Sequence, residues 1–215
     1  MAAGSRFGRH SYSCRSKPYF CGKEIPLEFF DDQDFKKINF QSSTFKKGEY
    51  HNCTFSDCDF SDLHLSNCEF VECEFLECDL SNANIANTAF KDVRFESCKM
   101  LGLNFGEAIS FLLQLKFTRC NLSHSSFYKL PLKNTSFLEC NLESVDFEES
   151  NLEFVNFSGS NLANTQFDKS KLSKADFTEA KNFSLNPETN ILNGARFSRN
   201  NIEGLLGHFK IVLVD

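Results

Sequence analysis

The chain has 215 residues, 41% of them hydrophobic, and a formal net charge of −6. That is enough for one domain with a sizeable core, and it excludes a disordered polyanion. No apolar run approaches the roughly 18 residues of a membrane-crossing helix, and the acidic balance argues against ordinary nucleic-acid binding, which needs a basic footprint.

The start, MAAGSRFGRHSYSCRSKPYFC, is basic but has no apolar h-region, so it is not a secretory signal. Ten Cys without an export signal predict free thiols in a reducing compartment, hence a soluble cytoplasmic protein. Residues 1–29 lack the pattern that follows and are expected to form a flexible leader with no assigned function. Beyond residue 23 the chain carries 18 Lys/Arg against 29 Asp/Glu.

From residue 30 the sequence repeats. Apolar residues recur at every fifth position from Phe35, Phe40, Phe45 and Tyr50 to Phe105, and again from Leu112, Phe117 and Leu122 to Phe177, with Leu192, Phe197 and Ile202 after a gap. On a helix, fifth residues rotate by about 140° and form no stripe; on a flat strand, an odd step alternates faces. The pattern closes only if every repeat bends and its apolar residue points to one axis, which is a solenoid. Sorted by twenty, one column reads Phe35, Phe55, Phe75, Phe95, Phe117, Phe137, Phe157, Phe177 and Phe197. Sorting by fifteen mixes residue types, so four sides per coil are predicted. Small residues stand two before the centres, and Cys58, Cys78, Cys98, Cys120 and Cys140 fall in one column.

Residues 106–111, GEAISF, carry a two-residue insertion: either a bulge at a corner or a small contact loop formed by Gly106 and Glu107. Residues 182–190 break the pattern more fully, because Asn182 and Pro187 stand where apolar centres belong. An excursion is expected there, before one closing coil. The repeat region is placed at 30–202 and a terminal segment at 203–215. In the tail, Ile202, Leu205, Leu206 and Phe209 have the spacing of a short amphipathic helix, and Ile211 to Val214 read as a strand. This tail is either a monomer cap or a two-fold dimer interface made by Leu205, Leu206, Phe209, Ile211, Val212 and Leu213.

No catalytic or cofactor-binding constellation is present, and the Cys spacings of five, ten and twenty are not those of a zinc site. The repeat Cys are expected inside, as small apolar fillers. The sequence therefore predicts no enzyme, no cofactor and no metal. Charge is what remains. Asp57, Asp59, Asp62, Glu69, Glu72, Glu74, Glu77 and Asp79 form one run without a base; Glu139, Glu143, Asp146, Glu148, Glu149 and Glu153 form another. All flank inward centres and are expected to point outward. They either keep a long β surface soluble and unpaired or present fixed carboxylates to a basic DNA-binding channel. About eight and a half coils at about 4.8 Å give a rod near 40 Å long, and an end-to-end dimer of about 80 Å.

CDFSD (58–62), CEFLE (73–77), CDLSN (78–82), CNLSH (120–124), CNLES (140–144) and ADFTE (175–179) resemble the pentapeptide-repeat signature, roughly A(D/N)LXX. The resemblance implies an all-β, right-handed, four-sided parallel β-helix, here with a short C-terminal helix and a terminal strand. FESCKMLGLNF (95–105), the slip near 106, NPETNILNGARFS (186–198) and the apolar tail resemble the topoisomerase-protecting branch: Qnr-type quinolone-resistance proteins and immunity proteins against albicidin or gyrase-poisoning peptides. The large projecting loops of some Qnr-type members are absent. This resemblance implies a homodimeric DNA mimic that binds DNA gyrase or another type II topoisomerase, without touching nucleic acid or membrane. The alternative is a structural or adaptor solenoid with a partner unrelated to DNA topology.

Overall fold

The computed structural model describes residues 28–209 and 211. Ten short strands appear: β1 (Glu28–Asp31), β2 (Asp34–Lys36), β3 (Gly48–His51), β4 (Thr54–Ser56), β5 (Glu69–Val71), β6 (Glu74–Leu76), β7 (Ala89–Lys91), β8 (Val93–Glu96), β9 (Leu115–Thr118) and β10 (Ser136–Leu138). They lie in two parallel sheets, β1-β3-β5-β7 and β2-β4-β6-β8-β9-β10. Isolated parallel bridges such as Asn39↔Asp59↔Asp79 and His64↔Asn84 build two further walls. The chain is thus a four-sided parallel β-solenoid whose walls, in chain order, are the β1, β2, Asp59 and His64 faces.

Each coil takes twenty residues, as Phe35 over Phe55 and Phe55 over Phe75 show. The all-Phe column stacks from Phe35 to Phe197, with ring planes within 29° of parallel and centroids 4.8–5.6 Å apart. Rings on adjacent walls meet edge to face, as Phe55 and Phe60 do at 5.4 Å. One ring geometry thus serves every coil, and each buried ring contributes on the order of 2–3 kcal/mol of apolar transfer.

The corners explain the polar half of the repeat. The residue two after most centres is left-handed, as at Asp57 (φ 54), Asp62 (φ 53) and Asn67 (φ 65). The Asp or Asn before a centre accepts the N–H two residues on: Asp59 from Ser61 at 3.0 Å, Asn156 from Ser158 at 2.8 Å. Such side chains fix a turn by local bonding. The small residues two before each centre point inward and are more than fillers. The Cys73 and Cys98 thiols and the Thr88, Ser150 and Ser160 hydroxyls each donate to the carbonyl of a centre one coil back, Tyr50, Phe75, Leu65, Phe127 and Phe137. The eight repeat Cys are buried and free.

Three local expectations need correction. The insertion lies within 110–114, at and just past the end of 106–111, rather than at Gly106 and Glu107. Ile109 still pairs with Ala89 at a step of twenty, and the step becomes twenty-two only at Leu115 over Val93. Gly106 and Glu107 belong to a 3-10 turn, Phe105–Glu107, capped by Asn104. Leu112 is therefore not an inward centre. It is 58% exposed with φ 59, and Leu113 packs against the core instead. Adjacent leucines had made the period-five choice ambiguous at that point.

At 182–190 the twenty-residue step holds on both sides, Asn161 to Lys181 and Lys171 to Ile191. Phe183 and Leu185 turn inward in place of Asn182 and Pro187, so the wall is rearranged rather than lengthened. Among the described residues there is no α-helix: the tail forms two 3-10 turns, Ile202–Leu205 and Gly207–Phe209. The Gly204 carbonyl accepts the Leu185 N–H at 2.8 Å, and a Cβ on Gly204 would stand 2.4 Å from Phe183, so this docking favours a tighter turn than an α-helix. Ile202 is exposed rather than a closing centre. The expected leader lies outside the described residues except Glu28 and Phe29, which begin β1. Val212 and Leu213, with the expected terminal strand beyond Ile211, also lie outside them.

Candidate partner-binding surface

The two acidic runs do point outward. Every one of the thirteen carboxylates selected for a partner surface, and Glu153, is exposed or half-buried. Their arrangement differs from a single acidic face, because consecutive residues of a solenoid travel around it. Asp57 and Glu77 stack at the corner of the β2 and Asp59 faces, with Asp59 and Asp79 beside them. Glu69 and Glu72 stand on the β1 side and Glu74 on the β2 face. The second run, Glu139, Glu143, Asp146, Glu148 and Glu149, likewise wraps its coil. The result is two acidic girdles.

A basic belt separates them. Lys91 pairs with Glu69, Arg94 with Glu74 at 3.0 Å, Lys99 with Asp79 at 3.8 Å, Lys116 with Asp92 at 2.9 Å and Arg119 with Glu96. In the lower girdle, Lys129 pairs with Glu149 and Lys133 with Glu153, both at 3.2 Å, while Lys169 approaches Glu148 at 3.7 Å. Such exposed pairs contribute little stability, about 0–1 kcal/mol each, but they decide which charges stay open. Asp57, Asp59, Asp62, Glu72, Glu77, Glu139, Glu143 and Asp146 have no cationic partner among the described residues. Reading the sequence linearly missed the belt, because its five bases are spread from Lys91 to Arg119 and meet only after coiling.

The projecting element also moves. Gly106 and Glu107 are exposed but held down by Asn104, which accepts from the Gly106 N–H and donates to Glu107. The true projection is four residues past Glu107, where Phe111 is 72% exposed beside Leu112. At the C-terminal end Leu205 packs on the core and Leu206 is half-buried, while Phe209 and Ile211 are exposed. Depressions near the acids are shallow, such as the groove between Asn52, Glu72, Glu74 and Arg94. The chemistry on offer is therefore surface recognition by charge.

The family profile described as pentapeptide repeat region matches residues 48–109 and 110–186. The chain is a pentapeptide-repeat protein. Solved structures agree with this pentapeptide-repeat fold. A trypsin-treated form of QnrB1, a plasmid-mediated fluoroquinolone resistance protein, is 20% identical, with a TM-score of 0.58 over 87% of this chain and 98% of that one. Full-length QnrB1 gives 18% and 0.54 over 86% and 100%. HetL from the cyanobacterium Nostoc sp. strain PCC 7120, involved in heterocyst differentiation regulation, gives 14% and 0.64 over 79% and 86%. No curated protein sequence matches significantly.

Proposed function

We propose that this pentapeptide-repeat protein mimics DNA, binding DNA gyrase or a related type II topoisomerase and modulating it or shielding it from a poison without catalysis. The observation that carries the reading is the corner of unpaired carboxylates, Asp57, Asp59 and Glu77, fixed on successive coils about 4.8 Å apart. Duplex DNA carries one charge per roughly 1.7 Å, so the rod is the less charged of the two. Its carboxylates, however, are already ordered, and a basic channel meets them without the entropy loss of immobilising a flexible polyanion. QnrB1, which shares the fold, is a plasmid-mediated fluoroquinolone resistance protein. The exposed Phe209 and Ile211 fit an end-to-end dimer, which would double the length of charged rod.

Equilibrium binding to purified gyrase tests the reading. Asp57→Asn, Asp59→Asn and Glu77→Gln together keep the corner geometry and remove three charges; affinity should fall about tenfold or more. Undiminished binding by the triple variant would refute the role of this corner. The second reading, an adaptor solenoid, is favoured by the basic belt, which duplex DNA has no counterpart for. It predicts that gyrase ignores the wild-type chain altogether.

A further inference from the structure

The geometry points to a second, lateral use of the solenoid: the β1 face pairs side by side with the β1 face of a second copy, about a two-fold axis through Ile109. The column before each centre of this face, outward except at the buried Ala89, runs from Phe29 over Glu49 to Glu69 and Ala89, then to Ile109, and resumes from Pro131 to Ile191. Ile109 stands at the fifth of nine levels, midway along it. A two-fold axis perpendicular to the face turns such a column end for end onto itself.

The resulting matches are complementary. Phe29, 60% exposed, meets Ile191 of the second copy, 48% exposed. Glu49 meets Lys171, and neither has an ion-pair partner among the described residues. Ile109 meets itself, with exposed Phe111 and Leu112 beside the axis. The two remaining matches, Glu69 with Asn151 and Ala89 with Pro131, bring no like charges together. An apolar centre, charge pairs on either side and an apolar contact at each end is the layout of a self-recognising interface. About nine levels at about 4.8 Å, by roughly 15 Å of wall, bury roughly 600 Å² per copy, near the lower limit for specific association. Reversible, concentration-dependent pairing follows. Asp57, Asp59 and Glu77 lie at a different corner and stay open, so this inference stands or falls independently of the gyrase reading.

Charge exchange with sedimentation velocity is the test. One chain carries Lys171→Glu; another carries Glu49→Lys. Either alone places like charges across both symmetric junctions, and self-association should weaken about tenfold or more. Mixed one to one, the two chains restore opposite charges at both junctions, and association should return to within about threefold of wild type. Both sites are on the surface, so matching thermal unfolding confirms that each chain is folded. An end-to-end contact through the C-terminus is common to all three samples and cancels. Ile109→Asp should abolish the pairing at the axis. The inference is overturned if the wild-type chain shows no concentration-dependent sedimentation, if single reversals sediment as wild type, or if the mixture associates no better than its parts.

Discussion

At position 160 one hydroxyl serves two neighbours. Ser160 Oγ donates to the Phe137 carbonyl at 2.9 Å and accepts the Cys140 N–H at 2.8 Å, all within the core. Ser150 Oγ donates to Phe127. Ser160→Ala leaves a buried N–H without an acceptor and should lower unfolding free energy by about 1–3 kcal/mol, against about 1 kcal/mol for Ser150→Ala. Denaturant midpoints at constant slope would measure both. The thiols make a second residue-scale prediction. Burial pushes Cys73 up to about 12 and raises Cys53 and Cys68. Folded-state values above the unfolded ones mean that the unfolded chain loses these protons first. Stability is therefore fully present below about pH 8.5, falls as pH rises past it and keeps falling toward pH 12. Thermal unfolding between pH 7 and 11 should show a falling midpoint; a flat profile would contradict this account of the thiols.

At the scale of elements, the walls were legible in the sequence and their irregularities were not. A buried centre every fifth residue, in columns of one residue type, leaves only a bent, four-sided coil, and Phe35 to Phe197 stack as the sorting requires. The Cys58–Cys140 column continues across the insertion for the same reason. Local pattern failed where apolar residues lie side by side. At Phe111–Leu112–Leu113 three candidates compete for one inward position, and at Phe183 and Leu185 the inward residues sit off the expected positions. Only contacts with neighbouring coils choose among them. The tail failed differently: its helical spacing is real, but Gly204 must fit under Phe183. Gly204→Ala should displace the segment from Leu205 onward, because the new methyl meets both the Phe183 ring and its carbonyl. Faster proteolysis of the tail with the repeat coils intact would show this; unchanged cleavage would mean the tail is held by other contacts.

For the whole molecule, the outward direction of the acids followed from their place beside inward centres. Their grouping did not, because a run in sequence becomes a girdle in space and a scattered set of bases becomes a belt. Nor could spacing alone show that Glu69, Glu74 and Asp79 are partly neutralised while Asp57, Asp59 and Glu77 stay open. Gyrase supercoiling tests the proposed DNA mimicry most directly: purified protein titrated with and without a gyrase poison, at two salt concentrations, beside the Asp57→Asn, Asp59→Asn, Glu77→Gln variant. The account predicts that the wild-type chain inhibits supercoiling or rescues it from the poison, that added salt weakens the effect, and that the variant loses it. Gyrase activity unaffected by the wild-type chain at micromolar concentration would contradict it.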